Sequence, residues 1–268
     1  MKPLVIIKLG GSVITYKKSK TPKARLSVIR LLTKEIAQIV RTGKYRIVLV
    51  HGGGSFGHPN VKKFNLHKGM KTAKQKLAYA QTLQNMLDLN EFVIKSLTSR
   101  AVPAVSIVPH SFAEQEQGEF KSFSVAIINN ALNQGLVPIL FGDGVLDTKW
   151  GCSVLSGDTI VSYLARKLKA EKVVFLSDVD GIFEQDPKSN PRAKLIPEVN
   201  NRNFKKVLKI LASQGASKIN VTGEMYGKMV AVKRELRKKS IYIVDGLKQE
   251  VLTGVLAGKK IGTKIHFS

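Results

Sequence analysis

The chain has 268 residues, 43% of them hydrophobic and 24% charged, and 44 Lys and Arg against 19 Asp and Glu give a net charge of +25. This length can bury a sizeable core, and the single cysteine, Cys152, excludes a disulfide framework or a cysteine-based zinc site within one chain. The positive charge predicts contact with anions such as phosphorylated metabolites, nucleic acid or acidic membranes, but no basic stretch is interleaved with aromatic residues, which disfavours nucleic acid as the main partner.

Six short apolar runs predict buried strands, because each is rich in Val, Ile and Leu and lacks clean alternation. In chain order they are Leu4–Leu9, Arg46–Val50, Val102–Ile107, Val137–Phe141, Lys172–Leu176 and Ile241–Val244. None reaches the length of a membrane span, and the first is too short for a signal segment. With one cysteine in the chain, we expect a cytoplasmic protein without a membrane partner.

Amphipathic stretches lie between these runs and predict helices, because their apolar residues recur every three or four positions. In chain order they are Leu26–Thr42, Ala73–Ser99, Phe123–Gln134, Thr159–Leu168, Phe204–Ser213 and Lys228–Lys239. Strands that alternate with helices predict an α/β fold of βαβ units with a mainly parallel sheet. Tight turns are expected at Gly10-Gly11, at Gly52-Gly53-Gly54 and at Gly142-Asp143-Gly144.

The first of three motifs at predicted strand ends is Lys8-Leu9-Gly10-Gly11-Ser12. Ligands of an open parallel sheet bind beyond the carboxyl ends of its strands. Paired glycines let backbone N–H groups approach a phosphate, and Lys8 is costly at a strand end unless it meets an anion. The alternative is a plain turn beside a lysine whose ammonium group reaches solvent.

The second motif is the segment His51–His58, which follows the second predicted strand. Its three successive glycines cost backbone entropy, so the fold must need their geometry. His58 can donate a hydrogen bond to a phosphate, and we favour this role over that of a loop histidine bonded to backbone. For His51, the alternative to a role in the anion site is packing at the strand end.

The third motif is Ser177–Phe183, whose carboxylates suit ribose hydroxyls, Mg²⁺ or the edge of a base. The alternative interpretation of this motif is a simple Asp-Gly turn without a ligand. The chain contains neither a Walker A sequence nor Gly-x-Gly-x-x-Gly, so an ordinary P-loop or dinucleotide site is disfavoured.

Together these motifs resemble the amino acid kinase superfamily, and they are most similar to the archaeal-type isopentenyl phosphate kinases. The matching segments are Lys8–Thr15, His51–His58, Ser156-Gly157-Asp158, Ser177–Phe183 with Asp186-Pro187, and Val221-Thr222-Gly223 followed by Lys228. Lys-x-Gly-Gly-Ser is shared across the superfamily. Gly-Gly-Gly-Ser-Phe-Gly-His is more specific and points to the branch whose acceptor already carries a phosphate.

The resemblance implies a three-layer αβα sandwich with an open, mainly parallel sheet, in a single domain over residues 1–268. Residues 1 to about 170 would bind the acceptor, and residues 171–268 the nucleotide. The implied reaction, part of isoprenoid biosynthesis by an alternative mevalonate route, is ATP plus isopentenyl phosphate giving ADP plus isopentenyl diphosphate, with Mg²⁺. Homodimers are usual in the family.

The resemblance also implies roles for particular residues, and none of these is a metal ligand. The implied catalytic residues are Lys8 at the transferring phosphoryl group, Lys17 nearby, Lys228 at the ATP phosphates, Asp158 orienting these lysines and His58 on the acceptor phosphate. The implied substrate-binding residues are Gly53, His58 and Gly157. The implied nucleotide-binding residues are Lys8, Gly10, Gly11, Ser12, Gly54, Asp178, Gly223 and Lys228.

One departure from the family pattern lies on the nucleotide side. The family commonly has Asp-Val-Thr-Gly-Gly before its late lysine, whereas this chain has Asn220-Val221-Thr222-Gly223-Glu224. Glu224 puts a carboxylate where a glycine would let a phosphate approach. We therefore expect a reshaped loop on the ATP side.

Several alternatives remain open from the sequence. One is another kinase of this fold that acts on an amino acid, carbamate or fosfomycin, and a less favoured one is a non-catalytic nucleic-acid-binding protein. The helix predicted at Ala73–Ser99 is a candidate wall for a prenyl tail, or else an ordinary core helix. Basic residues are spread along the chain with small clusters at Lys17–Arg25, Lys62–Lys76 and Arg234–Lys239.

Overall fold

The computed structural model describes residues 2–215 and 239–267. Its strands are β1 (Leu4–Leu9), β2 (Arg46–His51), β3 (Ala104–Ser106), β4 (Glu114–Glu116), β5 (Glu119–Phe120), β6 (Val137–Phe141), β7 (Asp143–Asp147), β8 (Gly151–Leu155), β9 (Lys172–Ser177), β10 (Ile182–Phe183), β11 (Leu195–Ile196), β12 (Glu198–Val199), β13 (Ser240–Asp245) and β14 (Thr263–Ile265). Its α-helices are α1 (Gly11–Ile14), α2 (Leu26–Arg41), α3 (His58–Lys63), α4 (Ala73–Thr98), α5 (Ala126–Asn133), α6 (Gly157–Lys167), α7 (Phe204–Gly215) and α8 (Val251–Leu256). Short 3₁₀ helices lie at Leu66–Lys68 and Pro109–Ser111.

An eight-stranded sheet lies at the centre of the fold, with strand order β12-β14-β13-β9-β1-β2-β6-β3. The six strands from β13 to β3 in this order run parallel to their neighbours, whereas β14 is antiparallel to β13. In register, Leu9 of β1 lies between His51 of β2 and Leu176 of β9. The carboxyl ends of these three central strands therefore meet at one edge of the sheet.

Two hydrophobic cores cover the two faces of this sheet. Alternate residues of β1 point to opposite faces, so Val5 and Ile7 pack with α2, α4 and α8 while Leu4 and Ile6 pack with α5, α6 and α7. The architecture is a three-layer αβα sandwich with an open, mainly parallel sheet, which confirms the predicted fold class.

Side chains define the beginnings of α4 and α6. Thr72 accepts a hydrogen bond from the backbone N–H of Gln75 at 3.2 Å, and the Gln75 side chain accepts one from the backbone N–H of Thr72 at 3.2 Å, so α4 begins with a capping box. Ser156 accepts a hydrogen bond from the backbone N–H of Thr159 at 3.1 Å and so fixes the first residue of α6.

Glu35 joins two helices of one outer layer. It lies on α2 and is only 3% exposed, and its carboxylate accepts hydrogen bonds from the backbone N–H groups of Glu250 at 2.6 Å and Leu252 at 3.0 Å. Burial raises the pKa of Glu35, although these backbone hydrogen bonds oppose the shift. The carboxylate thus satisfies free donors at the start of α8.

The predicted strands agree closely with the central sheet. Predicted bounds and structure coincide at Leu4–Leu9 and Val137–Phe141, whereas the strand predicted at Val102–Ile107 is shortened to Ala104–Ser106. Pro103 has no backbone N–H for a sheet ladder, which accounts for the later start. The helix predicted at Lys228–Lys239 lies, apart from Lys239, outside the described residues.

A second sheet was not predicted. It has four strands in the order β5-β4-β7-β8 and is built from short segments that include polar residues. The tight turn expected at Gly142-Asp143-Gly144 is wrong, because Gly142 alone separates β6 from β7 and the chain continues as a strand. Within residues 2–215 and 239–267, no helix combines the length and hydropathy needed to cross a bilayer.

Candidate active site

Lys8 and Asp158 form an ion pair at the carboxyl end of β1, with 2.8 Å between Nζ and Oδ1. Lys8 alternates with Leu4 and Ile6 and so faces the layer that contains α6. Asp158 lies in the first turn of α6. Because Lys8 is only 9% exposed, its ammonium group would be costly there without a carboxylate partner. The pair holds one cation in a fixed orientation at the strand end.

Gly157 brings the start of α6 against the strand ends. A Cβ at Gly157 would lie 3.2 Å from the carbonyl oxygen of His51 and 3.5 Å from Cε of Lys8. A Cβ at Gly142 would in turn lie 2.8 Å from the backbone N of Gly157. The N-terminus of this eleven-residue helix therefore reaches the edge where β1 and β2 end, a position that favours anions.

The glycines after β1 and β2 lie against each other, backbone to backbone. A Cβ at Gly11 would be 2.5 Å from the N of Gly54, and a Cβ at Gly52 would be 2.8 Å from the N of Gly11. Gly10 is equally confined, since its Cβ would meet the carbonyl oxygen of Leu176 at 2.5 Å. Two predicted anion-binding loops from separate parts of the sequence thus form one surface of backbone atoms.

His58 is presented at the far end of this glycine segment. It is the first residue of α3, it is exposed, and its backbone N–H donates to the carbonyl oxygen of Gly54 at 3.2 Å. Gly53 is buried against α4, since a Cβ there would lie 3.0 Å from Sδ of Met86. The segment therefore passes between the β1 loop and α4 before it reaches His58.

Lys17 lies in an exposed loop that returns toward the glycine segment. Thr15 and Ala24 form an isolated antiparallel bridge, and the backbone N–H of Lys23 donates to Oγ of Ser55 at 3.1 Å. These contacts fasten the loop that carries Lys17 next to Gly54.

Asp178 follows β9 and contacts the β1 loop directly. Its Oδ1 accepts a hydrogen bond from Oγ of Ser12 at 3.0 Å, and its other oxygen pairs with Lys188. Burial alone would raise the pKa of Asp178, but the hydrogen bond and charge of Lys188 and the hydrogen bond from Ser12 outweigh it and lower this pKa. Asp178 is thus held as an anion beside Ser12.

Two predicted nucleotide-site residues, Gly223 and Lys228, lie outside the described residues, as does Glu224. Lys8, Ser12, Gly53, Gly54, Gly157, Asp158 and Asp178 are brought to the same edge of the sheet. No three His, Cys, Asp or Glu side chains of the described part of the chain gather as a metal-binding group.

His51 is a buried support of the site. It stacks on Phe141 with 5.1 Å between ring centroids, and its Nε2 lies 3.3 Å from Oδ1 of Asn90. Burial lowers the pKa of His51 to about 4, although the hydrogen bonds to Gly52 and Asn90 oppose the shift. The packing alternative for this histidine is therefore the one observed.

An Asp–His pair beside the site was missed from the sequence. Nδ1 of His110 lies 2.7 Å from Oδ2 of the buried Asp143, which follows Gly142. The hydrogen bond to Asp143 raises the pKa of His110, and burial raises the pKa of Asp143 although His110 opposes it. The only local signal was the Gly-Asp-Gly sequence, which indicated a turn.

Comparison with known proteins places the chain in a family. The model of the amino acid kinase family matches residues 3–245. The chain belongs to the amino acid kinase family. This confirms the resemblance that the motifs indicated.

Individual members of the amino acid kinase family match over the whole chain. The isopentenyl phosphate kinase of Methanocaldococcus jannaschii is 32% identical over 272 residues, which cover 99% of both proteins. A solved isopentenyl phosphate kinase superposes with a TM-score of 0.82 at 27% identity, covering 98% of this chain and 99% of the other. A glutamate 5-kinase of a Thermoanaerobacter species is 26% identical over 261 residues and covers 97% of this chain but 66% of its own length.

Proposed function

We propose that this chain transfers the γ-phosphoryl group of ATP to isopentenyl phosphate, which gives isopentenyl diphosphate and ADP. The observation that carries the proposal is the position of His58, which directly follows a glycine segment packed against the glycines after Lys8. An acceptor that already carries a phosphate needs a second anion site of this kind beside the donor site. Similarity to isopentenyl phosphate kinases over nearly the whole chain supports the same function.

Lys8 stabilises the phosphoryl group during its transfer. Phosphoryl transfer requires two anions to be aligned and the charge of the transition state to be neutralised, with little covalent work by the protein. Lys8 supplies a fixed cation at the strand end, and Asp158 keeps it in place through their 2.8 Å ion pair. Such preorganisation stabilises the transition state because no reorientation is needed during transfer.

The acceptor phosphate is bound by His58, Gly53 and Gly157. His58 donates a hydrogen bond to a phosphate oxygen, and the backbone of the two glycines supplies further donors. Gly157 contributes the positive end of the α6 dipole, and it already lies beside the carbonyl oxygen of His51 and Cε of Lys8.

The donor phosphates lie over the glycine loops. Gly10, Gly11 and Gly54 approach them through backbone atoms, and Ser12 with Asp178 borders the nucleotide beyond them. Gly223 and Lys228 complete the proposed set of donor contacts, and Lys17 lies near the transferring phosphoryl group as a further catalytic lysine. ATP enters with Mg²⁺, which proteins ordinarily bind through substrate phosphates and few carboxylates.

The prenyl tail lies along α4. Met86 contacts the glycine segment at Gly53, and Tyr79 and Leu83 of the same helix lie against Gly144, where a Cβ would be 2.8 Å and 3.3 Å from their side chains. One face of α4 therefore continues from the phosphate loops toward β7 as a largely apolar wall, which suits a hydrocarbon tail.

The remaining proposals concern organisation. We propose a single domain in which residues up to about 170 form the acceptor-binding part and residues from 171 form the nucleotide-binding part, with the donor phosphates extending over the glycine loops of the first part. This division is consistent with the position of the glycine segment and α4 before, and of Asp178 after, that point in the chain. We also propose a cytoplasmic homodimer.

A panel of acceptors tests the proposed function. ADP release is measured with isopentenyl phosphate, dimethylallyl phosphate, glutamate, aspartate, carbamate and fosfomycin. We expect kcat/KM to be highest for a prenyl monophosphate. Equal or higher turnover of an acceptor without a phosphate would contradict the proposal, and no ATP turnover with any acceptor would favour a non-catalytic role.

A further inference from the structure

The charge excess of this chain is concentrated at its N-terminal third. Residues 1–87 contain eighteen Lys and Arg but one acidic residue, Glu35. Glu35 is 3% exposed and bound to the backbone of α8, so it offsets little of the surface charge. The charges contributed by residues 1–87 are therefore of nearly one sign, and the proposed chemistry uses only those of Lys8 and Lys17.

Two lysine-rich segments of this region lie next to each other in the fold. The loop of residues 16–25 is fastened to the glycine segment by the hydrogen bonds between Lys23 and Ser55, at 3.1 Å and 3.3 Å. Helix α3 begins at His58 directly after that segment and ends with Lys62 and Lys63. Although about 40 residues apart in sequence, both segments border the same glycine loop.

Four lysines of these segments are exposed to solvent and so can act on dissolved anions. We define the cationic rim as Lys18, Lys20, Lys62 and Lys63. All four are exposed, and within the described part of the chain none forms an ion pair. Their charge is therefore not neutralised by neighbouring carboxylates, and it acts at the carboxyl edge of the sheet, where β1 and β2 end.

We propose that the cationic rim captures anionic substrates from solution and steers them to the site beneath it. The inference rests on the proposed function for the position of that site, and it concerns association rather than the chemical step. ATP and a phosphate monoester are both multiply charged. A cleft lined by one sign of charge raises association rates by about 10 to 10³, and this gain declines as salt screens it.

Nucleic acid is the competing partner for a surface of this sign. The aromatic rings next to the rim are covered by cations. Nζ of Lys63 lies 5.3 Å from the ring centroid of Phe64, and Tyr16 lies under Lys23 and Arg25, with the cations 5.1 Å and 5.0 Å from its ring centroid. This arrangement favours small phosphorylated solutes over single-stranded nucleic acid, which binds through stacked bases.

The test compares two variants with the same change in net charge. The rim variant carries Lys18→Gln, Lys20→Gln, Lys62→Gln and Lys63→Gln. The control variant carries Lys44→Gln, Lys167→Gln, Lys205→Gln and Lys206→Gln, four exposed lysines at the opposite edge, where the central parallel strands begin. The association rate of a fluorescent N-methylanthraniloyl derivative of ATP is measured by stopped flow as salt is raised.

We expect the rim variant to bind this nucleotide roughly tenfold more slowly at low salt and to lose most of the salt dependence, while the control variant changes less than about twofold. Equal slowing in both variants would overturn the proposal, because it would show an effect of net charge alone. Rim-dependent binding of a DNA duplex at about 0.15 M salt that is tighter than nucleotide binding would also overturn it. Since this readout needs no acceptor, it is independent of the acceptor panel that tests the function.

Discussion

Oγ1 of Thr15 accepts a hydrogen bond from the backbone N–H of Ser55 at 3.0 Å and donates one to the carbonyl oxygen of Gly11 at 2.7 Å. One buried hydroxyl therefore joins the loop after β1 to the loop after β2. The contact explains how two glycine loops that are distant in sequence keep a common geometry. It also leaves no room for a side chain at Gly54, which lies between them.

Replacement of Gly54 by Ala is expected to destabilise the protein and abolish turnover. Gly54 has φ of +49°, and an added Cβ would lie 2.6 Å from the carbonyl oxygen of Gly11 and closer still to Oγ1 of Thr15. Gly135→Ala is the matched control, because Gly135 has φ of +76° with no atom within 4 Å of its added Cβ. In the control, the free energy of unfolding should fall only by the backbone strain of a residue with positive φ, about 1–2 kcal/mol. Urea unfolding measures the free energy of unfolding of both variants, and an equal decrease in the two would contradict the steric argument.

Asp158→Asn should lower kcat by roughly a hundredfold while both KM values change little. The amide keeps the size of the carboxylate but removes the charge that orients the ammonium group of Lys8, so an interaction of the transition state is lost. Steady-state kinetics with both substrates varied measures the effect. Asp88→Asn, at an exposed position on α4, is the control. An equal decrease in kcat in this variant would contradict the proposed role of Asp158.

His58→Ala should reduce kcat/KM for isopentenyl phosphate more than tenfold, because a charge-assisted hydrogen bond is worth roughly 1.5–3 kcal/mol. His67→Ala is the control, since His67 is exposed and lies in the 3₁₀ helix shortly after α3. Nearly intact activity in the His58 variant would mean that the acceptor phosphate is bound elsewhere or is absent.

His51 should make the protein sensitive to acid. Its pKa is about 4 in the folded protein against an ordinary 6.5, so the unfolded chain binds a proton that the folded protein excludes between these values. The stability that the neutral ring provides is complete above pH 6.5 and is lost as the pH falls toward 4, by up to about 3 kcal/mol. The free energy of unfolding of the wild type should therefore fall more steeply than that of His51→Gln over this range.

A direct titration separates this effect from other acidic groups. The ring C–H resonances of His51, followed by NMR, should titrate near pH 4. A midpoint close to 6.5 would show that the ring is accessible to water and would contradict its burial against Phe141 and Asn90.

The central strands and the site motifs were predictable because their signals are local. β1 and β6 are covered on both faces, so continuous apolar runs mark them from end to end. The glycine motifs at strand ends indicated anion-binding loops, and the parallel sheet predicted that they share one edge. Individual contacts, such as those of His51 with Asn90 and of Asp143 with His110, could not be predicted from the sequence, because no local pattern connects residues so far apart in the chain.

The second sheet escaped prediction for a different physical reason. Its strands are two to five residues long, and Gln115 and Asp147 are buried polar residues that bond within the sheet and its turns. Short strands whose buried positions are polar carry no apolar periodicity. The pattern rules therefore could not distinguish them from loops.

The two glycine loops meet through backbone atoms, whereas α4 contacts the glycine segment and β7 through side chains. Met86 contacts Gly53, and Tyr79 and Leu83 contact Gly144 of β7, so these contacts are made at residues without a side chain. Under the proposed function, a designer who wishes to change the size of the accepted molecule can therefore begin at Tyr79 and Leu83, which contact β7, whereas Met86 is buried against Gly53 of the proposed acceptor site. Under the proposed function, the same separation would let relatives with one phosphate chemistry diverge in acceptor through a single helix.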